Sequence, residues 1–229
     1  MRTAIVTGGS RGFGRALVTA LVSDGYVVIT DGRDPDTLAV LRGELGQSVR
    51  VVPGDHGDPA HQRRLVEVAE ELGGLDVLVN NAGALGPSPL PRLRALEPTA
   101  LGELFGTNVV APLGLMAAAL PLLVRREGAI VNVTSDAAVE AYAGWGAYGA
   151  TKAALEQLSN VLAVEEPDVR VWWLDPGDLR TDMHQAAFPG EDISDRADPA
   201  SVAPAILALL AERPPSGRVR AVDLLGGDR

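Results

Sequence analysis

Short runs of consecutive apolar, mostly β-branched residues alternate along the chain with longer segments whose apolar residues recur at helical spacing. The runs predict strands at residues 3–7, 26–30, 49–52, 75–79, 129–134, 169–174 and 218–224. The longer segments predict helices at residues 12–23, 36–45, 59–72, 99–126, 147–165 and 200–211. Strand and helix therefore follow each other in regular βα order.

The strands are continuously apolar rather than alternating, which is typical of a parallel sheet covered on both faces. With the βα order, this predicts an α/β fold: a single-domain, Rossmann-type doubly wound parallel sheet of about seven strands with helices on both faces. No repeat or linker divides the chain, so residues 1–229 are predicted to form one domain. Residues 86–98 and the acidic stretch 182–198 are predicted to be surface loops.

Charge and cysteine content exclude several classes of function. The chain has 30 acidic and 20 basic residues, a net charge of −10, whereas a nucleic-acid-binding protein needs a basic face. It has no cysteine, which excludes disulfides, thiolate nucleophiles and cysteine-ligated metals. Its three widely spaced histidines, His56, His61 and His184, do not predict a metal site.

The chain shows no segment typical of targeting or membrane insertion. Only three apolar residues follow the first charges, too few for a signal sequence. The longest uncharged apolar run, residues 109–124, is shorter than the ~20 residues that span a bilayer and contains two prolines. We expect it to be a buried or interface helix, and we expect a cytoplasmic protein that does not engage a membrane.

The glycine-rich segment TGGSRGFG, residues 7–14, lies between the first predicted strand and the first predicted helix. At that place glycines allow the backbone to approach a pyrophosphate, and helix amides bind anions. Its G-x-x-x-G-x-G spacing differs from the usual dinucleotide fingerprint, and a glycine-rich turn alone is common. The segment also contains G-x-S-x-G, which permits a serine hydrolase using Ser10, with Asp175 or Asp178 and then His184. The early position of Ser10 argues against this, because the hydrolase turn needs preceding strands.

Tyr148 and Lys152 stand four residues apart on a predicted helix, so they share one face. A nearby ammonium favours phenolate and lowers the pKa of tyrosine from ~10 toward neutrality, which predicts a general acid/base. Lys152 is the only lysine among the 20 basic residues, so an incidental surface pair is a poor explanation.

Three further polar sites each allow a structural and a functional interpretation. Ser135 ends a predicted strand, where it either caps a turn or holds a substrate oxygen beside Tyr148. The segment NNAG, residues 80–83, follows another strand and forms either a simple turn or a cofactor support. Asn108 lies in an apolar helix, as a satisfied core amide or as a kink that frees its backbone carbonyl.

Taken together, these motifs resemble those of the short-chain dehydrogenase/reductase family of classical type. The resemblance runs from Thr3 to about Val222 and rests on TGGSRGFG, Asp55, NNAG, Asn108, Ser135, YGATK at 148–152, and Pro176-Gly177 with Thr181. It implies an NAD(P)-dependent oxidoreductase without a metal, in which Tyr148 protonates a carbonyl oxygen and Ser135 polarises it. Lys152 would bond the nicotinamide ribose, and the carbonyl of Asn108 would hold a water linked to Lys152.

The same resemblance implies which residues contact the dinucleotide. Asp55 is expected at the adenine and the 81–83 backbone along the ribose, with Leu179 and Thr181 at the carboxamide or phosphate. The full predicted set is Gly8, Ser10, Arg11, Gly12, Phe13, Gly14, Arg33, Asp55, His56, Asn81, Ala82, Gly83, Tyr148, Lys152, Pro176, Gly177, Leu179 and Thr181.

NADP(H) is the predicted cofactor, with NAD as the alternative. By resemblance, the carboxylate that selects NAD would fall at Gly32, which has no side chain, and Arg33 falls where an arginine holds the 2′-phosphate. Arg11 supplies a second cation. A one-residue slip would instead make Asp31 or Asp34 a ribose acceptor.

The expected substrate is a small carbonyl compound or alcohol. The acidic stretch 182–198 would repel an acidic carrier protein. Trp145, Met183 and Phe188 either border the pocket or pack elsewhere. A regulator that senses NAD(P) without turnover is the alternative function. Segments 99–126 and 147–165 are apolar on more than one face, which with the resemblance predicts a homodimer or homotetramer.

Overall fold

The computed structural model describes residues 1–226, which contain seven strands in one sheet. All six strand pairs are parallel, and the spatial order is β3-β2-β1-β4-β5-β6-β7. The strands are β1 (Arg2–Val6), β2 (Tyr26–Gly32), β3 (Val49–Pro53), β4 (Val77–Asn80), β5 (Ala129–Val133), β6 (Arg170–Asp175) and β7 (Gly217–Arg220). The predicted doubly wound parallel sheet is confirmed.

Helices connect these strands and cover both faces of the sheet. They are α1 (Gly12–Ser23), α2 (Pro35–Leu45), α3 (Pro59–Glu71), α4 (Pro98–Phe105), α5 (Ala111–Arg125), α6 (Gly146–Glu165), α7 (Asp182–Ala187), α8 (Pro199–Val202), α9 (Pro204–Glu212) and α10 (Ala221–Leu224). Short 3₁₀ turns lie at Gly46–Ser48, Leu93–Ala95 and Asp136–Ala138.

The apolar core forms two layers because successive strand side chains point to opposite faces. On β1, Ala4 and Val6 pack in the layer that contains Leu17 of α1 and parts of α9. Ile5, between them, packs in the opposite layer with Leu65 of α3 and parts of α5 and α6. Both faces of the strands are therefore buried, which explains their continuous apolar sequences.

The C-terminal part of the fold differs from the prediction in two places. Residues 218–224 were expected to be a strand, but β7 ends at Arg220, opposite Asp175, the last residue of β6. An Arg220–Asp223 ion pair of 2.8 Å then spans one turn of α10. Residues 182–198 were expected to be a loop, but α7 begins this stretch because the Thr181 hydroxyl caps it, accepting from the His184 amide at 3.2 Å.

Two predicted helices are interrupted. The helix expected at 200–211 is divided into α8 and α9 at Pro204, which has no N–H to continue the first helix. The helix expected at 99–126 contains a π-helical segment, Gly106–Val110, between α4 and α5. Its wider turn is shown by the Ala111 amide, which donates to the Gly106 carbonyl five residues back.

Within the described residues, one continuous helical stretch, Pro98–Arg125, is long and apolar enough to cross a membrane by length and composition alone. Half of its most apolar window is buried inside the protein. A core helix of a soluble protein passes the same test, so this stretch is weak evidence for a membrane span.

Candidate active site

A cavity of about 1310 Å³ opens at the carboxyl ends of the central strands. The strand order reverses between β1 and β4, and ligands of open α/β sheets bind at such a switch point. Every residue predicted to contact the cofactor lines this cavity, and so do Ser135, Tyr148 and Lys152. Asn108 is the member of the predicted set that does not line it and lies behind the cavity wall.

The turn between β1 and α1 leaves room for a pyrophosphate. Gly8 and Gly12 have φ angles of +69° and +53°, which favour glycine. A Cβ on Gly14 would lie 2.3 Å from the Gly8 carbonyl oxygen, so no side chain fits there. The first turn of α1 has neither an acidic side chain nor a side-chain cap. Its amides are therefore available to an anion, and the turn fits a dinucleotide.

The segment after β4 is fastened to the end of β1. Asn81 donates from Nδ2 to the Thr7 carbonyl at 2.8 Å. The backbone amides of Asn81 and Ala82 both donate to the Thr7 hydroxyl, at 3.1 and 3.0 Å. These bonds fix the backbone of residues 81–83 along one wall of the cavity.

The carboxylate of Asp31 points into the protein at the end of β2 and is buried. Its Oδ1 accepts from the Gly8 amide at 2.7 Å, and its Oδ2 lies 3.1 Å from Nε2 of the buried His61. Both oxygens are therefore engaged with the glycine turn and α3, which argues against Asp31 as a ribose acceptor.

The three residues that follow Asp31 also bear on the choice between NAD and NADP. Asp34 caps α2, accepting from the Asp36 amide at 3.0 Å and from Thr37, and these bonds lower the pKa of its carboxyl group. A Cβ on Gly32 would lie 3.0 Å from Ser10 Oγ. Arg33 is exposed and lines the cavity, with its guanidinium free of ion pairs among residues 1–226.

Asp55 and His56 line the cavity on the far side of the glycine turn. Asp55 accepts from the Gly57 amide at 2.8 Å, which shapes the loop after β3. His56 Nε2 lies 3.2 Å from the carbonyl of Thr107 in the π-helical segment.

Tyr148 and Lys152 share one face of α6, as their spacing predicted, and both are buried. Lys152 Nζ donates to the Val133 carbonyl at 2.8 Å and stands 5.5 Å from the centre of the Tyr148 ring. Burial lowers the pKa of Lys152 to about 8, because the low-dielectric surroundings disfavour its ammonium.

The pKa of Tyr148 shifts in the direction opposite to the one expected. Burial of the phenol raises its pKa above the ordinary value, and the negative charges of Asp175 and Asp136 raise it further. The expectation that Lys152 lowers the pKa of Tyr148 toward neutrality is therefore wrong when only the groups of the protein act on the phenol. Burial disfavours phenolate, and the spacing of Tyr148 and Lys152 gave no information about the two facing carboxylates.

Ser135 both caps a turn and lines the cavity, so the two interpretations of this residue are compatible. Its hydroxyl oxygen accepts from the Ala137 amide at 3.2 Å and donates to Asp136 Oδ1 at 2.8 Å. The Ser135 hydroxyl thus lies at the cavity two residues after the end of β5, fixed by the 3₁₀ turn that follows.

Asn108 is buried in the π-helical segment, where the helix is distorted, and its side-chain amide is hydrogen-bonded. Its Oδ1 accepts from the Ala84 amide at 2.8 Å, and its Nδ2 donates to the Ala84 carbonyl at 2.9 Å. Nδ2 also donates to Thr151 Oγ1 at 3.0 Å, next to Lys152. The residue therefore ties the segment after β4 to α6.

Arg218 connects β7 to the ends of β5 and β6, a role that was not predicted from the sequence. Its guanidinium lies 2.9 Å from Asp175 and 3.1 Å from Glu156, and it donates to the Ser135 carbonyl at 3.2 Å. The sequence signal was a charged residue inside a predicted strand, which needs partners if it is buried.

The outer end of the cavity has an aromatic wall and a polar rim. The ring centre of Trp145 is 5.6 Å from that of Tyr148 and 6.0 Å from that of Phe188. Asp136 and Tyr142 also line this end and were not predicted. Tyr142 donates to Asp136 at 3.0 Å, and this bond raises the pKa of Tyr142 to about 12.

Comparison with known proteins identifies one family. The model for short chain dehydrogenase matches residues 2–192. A serine 3-dehydrogenase from Agrobacterium fabrum is 35% identical over 185 residues, covering 79% of this chain and 73% of that protein. A sepiapterin reductase from Mus musculus is 36% identical over 199 residues, covering 80% and 76%.

Solved structures agree with these relatives. A short chain dehydrogenase from Shigella flexneri complexed with NADP has a TM-score of 0.89 and 30% identity, covering 96% of both chains. An alcohol dehydrogenase from Thermococcus sibiricus complexed with 5-hydroxy-NADP has a TM-score of 0.85 and 29% identity, covering 96% of this chain and 95% of that one.

Proposed function

The chain belongs to the short-chain dehydrogenase family, and from this premise we propose that it is an NADP(H)-preferring oxidoreductase that interconverts a small ketone or aldehyde and its alcohol. The observation that carries the proposal is the placement of Tyr148, Lys152 and Ser135 in the same cavity as the open glycine turn. A hydride donor or acceptor and a proton donor or acceptor thus meet at the ends of β1, β4, β5 and β6.

NADP(H) fits the residues at the adenosine end of this cavity. The turn at Gly8, Gly12 and Gly14 would hold the pyrophosphate, and Arg33 and Arg11 would hold the 2′-phosphate. Two structures of relatives contain NADP or a derivative of it, which supports this choice. The engagement of Asp31 with Gly8 and His61 supports it as well, because no free carboxylate from Asp31 is left to select NAD.

When bound, the cofactor supplies or accepts the hydride, and its oxidised nicotinamide ring brings a positive charge to the site. Tyr148, which burial keeps protonated, would donate its proton to the carbonyl oxygen in reduction. In oxidation, its phenolate form would take the hydroxyl proton, and the positive charges of Lys152 and of the oxidised ring would favour that form. Ser135 orients that oxygen beside Tyr148. Lys152 binds ribose hydroxyls, and Asn108 holds the start of α6 in place through Thr151. For a ketone, the hydride and the proton together yield the secondary alcohol.

The two alternative functions receive less support from the geometry. A hydrolase needs Ser10 beside a histidine base, and none of the hydrogen bonds among residues 1–226 joins Ser10 to His184. A sensor without turnover needs no assembled proton donor, whereas Tyr148, Ser135 and Lys152 are all positioned at the cavity. Turnover distinguishes the sensor from the enzyme.

We further propose a cytoplasmic homodimer or homotetramer built from single domains of residues 1–229. The exposed face of α5 and of the residue before it is an apolar stripe of Val110, Leu113, Ala117, Pro121 and Val124. On α6, Val161 and Val164 are exposed near the C-terminal end of the helix. Apolar helix faces of this length are typical of association surfaces.

A screen of NADPH oxidation over a panel of small ketones and aldehydes tests the catalytic proposal. We expect at least one good substrate, and we expect Tyr148→Phe to lower kcat/KM by at least ~10²–10⁴-fold because the ring stays while the proton donor is lost. Tyr26→Phe, at the N-terminal end of β2, is the matched control and should retain activity. A Tyr148→Phe variant within a few-fold of wild type would refute the assigned role.

A further inference from the structure

Asp136 places a carboxylate next to the catalytic hydroxyl at the outer end of the cavity. Its Oδ1 is 2.8 Å from Ser135 Oγ, and the side chain lines the cavity together with Tyr148. Its negative charge also acts on the phenol of Tyr148. A group on the carbon next to the reacting C–O carbon would therefore lie within reach of Asp136 when the substrate oxygen is held by Ser135 and Tyr148.

Among residues 1–226, the groups that donate hydrogen bonds to the carboxylate of Asp136 are all neutral. Oδ1 accepts from the Ser135 hydroxyl and, at 2.8 Å, from the Ala137 amide, and Oδ2 accepts from Tyr142 at 3.0 Å. A carboxylate has about four acceptor positions, so Oδ2 retains capacity for a further donor. These three bonds hold the group in place without neutralising it.

No cation compensates this charge among residues 1–226, where none of the ion pairs includes Asp136. The nearest guanidinium along the network, Arg218, contacts the Ser135 carbonyl, but it is paired with Asp175 and Glu156. A partly buried carboxylate that faces a cavity and forms no ion pair with the described residues favours a positively charged ligand beside it.

Apolar side chains also line the outer end of the cavity. Trp145 and Phe188 form one wall, with ring centres 6.0 Å apart, and Met183 lines the same end. A substrate that satisfies both features has an apolar or aromatic body and one ammonium close to the reacting carbon. An anionic substrate would be repelled by Asp136.

We propose that Asp136 is a specificity-determining residue that binds the ammonium group of the substrate, so that the enzyme acts on 1,2-amino alcohols and the corresponding α-amino ketones. The inference rests on the proposed oxidoreductase function and adds no chemical step to it. The hydride leaves the C–OH carbon for the oxidised cofactor, the hydroxyl proton goes to Tyr148 in its phenolate form, and the ammonium keeps its protons and all of its bonds.

Two alcohols of nearly the same shape, one carrying an ammonium and one neutral, show how much the substrate's charge contributes to recognition. 2-Amino-1-phenylethanol carries an ammonium where 1-phenyl-1-propanol carries a methyl group. With NADP⁺, we expect wild type to oxidise the amino alcohol with the higher kcat/KM. Asp136→Asn keeps the side-chain volume and should lower kcat/KM for the amino alcohol by ~10- to 100-fold, typical of losing a charge-assisted hydrogen bond. Because Asp136 also accepts from Ser135 and acts on Tyr148, the readout is the ratio of kcat/KM for the amino alcohol to that for the neutral isostere, which should fall by ~10- to 100-fold.

Glu140→Gln is the matched control, because it removes an equal charge from the same rim at a side chain that does not line the cavity. We expect Glu140→Gln to have the same kcat/KM as wild type for each alcohol. If Glu140→Gln lowers the preference for the amino alcohol as much as Asp136→Asn does, the effect is general surface charge and the inference is wrong.

Equilibrium binding provides a readout independent of turnover. In the Tyr148→Phe background with NADP⁺, calorimetry should show the amino alcohol binding more tightly than its isostere, and Asp136→Asn should abolish that difference. Equal binding of the two alcohols in this background, or equal oxidation of them by wild type, overturns the inference and leaves the proposed function standing. Binding that depends on Asp136, with neither alcohol oxidised by wild type, supports the inference and counts against the proposed function.

Discussion

Replacing Arg33 with alanine is the sharpest perturbation of the proposed cofactor preference. Arg33 lines the adenosine end of the cavity, and no carboxylate among residues 1–226 pairs with it. The nearby acids are engaged: Asp31 with Gly8 and His61, and Asp34 as the cap of α2. A 2′-phosphate would therefore meet a cation that is not already neutralised.

The magnitude follows from the bond that would be lost. A hydrogen bond to a charged group contributes about 1.5–3 kcal/mol, and each ~1.4 kcal/mol is a factor of ten in affinity. Arg33→Ala should therefore raise the Kd for NADPH about 10- to 150-fold and leave the Kd for NADH nearly unchanged. Arg11 would still contact the phosphate and Arg33 is itself exposed, so we expect the lower half of this range.

Fluorescence titration of both reduced cofactors measures the four dissociation constants. Arg63→Ala, an exposed position on α3 outside the cavity, is the control for loss of one positive charge and should affect neither cofactor. Two results would refute the reasoning. One is wild type binding NADH as tightly as NADPH. The other is Arg33→Ala weakening both cofactors equally, which would indicate that Arg33 stacks on adenine instead of binding phosphate.

Two other predictions concern Lys152 and the oligomer. Burial lowers the pKa of Lys152 to about 8, so its ammonium is present below that pH and lost above it. NADPH affinity should therefore fall as the pH rises through about 8, and NADPH binding should take up protons in that range. The prediction is wrong if the affinity of wild type does not change with pH, or if Lys152→Met shows the same pH dependence as wild type. In sedimentation at micromolar concentration, we expect wild type to be a dimer or tetramer. Val164 on α6 is 79% exposed, and Val164→Glu should shift the protein toward monomer. A monomeric wild type would contradict the proposed association.

The elements of the fold were predictable because their signals are local. Continuous apolar runs placed β1 to β6 correctly, and glycine and proline positions marked most of the turns. The break at Pro204 was also readable in principle, since proline cannot donate the next helical bond. The early end of β7 was not readable, because it depends on where its partner β6 ends.

The site was predictable where one element carries the chemistry. Tyr148 and Lys152 lie four residues apart on α6, so their spacing sufficed to place them on one face. Arg218 was not predictable, because its partners Asp175 and Ser135 are 43 and 83 residues away in sequence. The same limit explains the wrong pKa direction for Tyr148, since the facing carboxylates and the burial arise only from tertiary packing.

The chain carries a net charge of −10, yet its proposed cofactor is an anion, and the distribution of charge within the cavity resolves this conflict. At the adenosine end, Arg11 and Arg33 face the site while Asp31 is turned inward. At the catalytic end, Asp136 faces the site, and its hydrogen-bond donors in the described part of the chain are neutral. Long-range repulsion is screened over about 8–10 Å at physiological salt, so these near charges decide binding. The cavity therefore favours a phosphate at one end and a cation at the other, which matches an oxidised dinucleotide bound beside a substrate that carries an ammonium group.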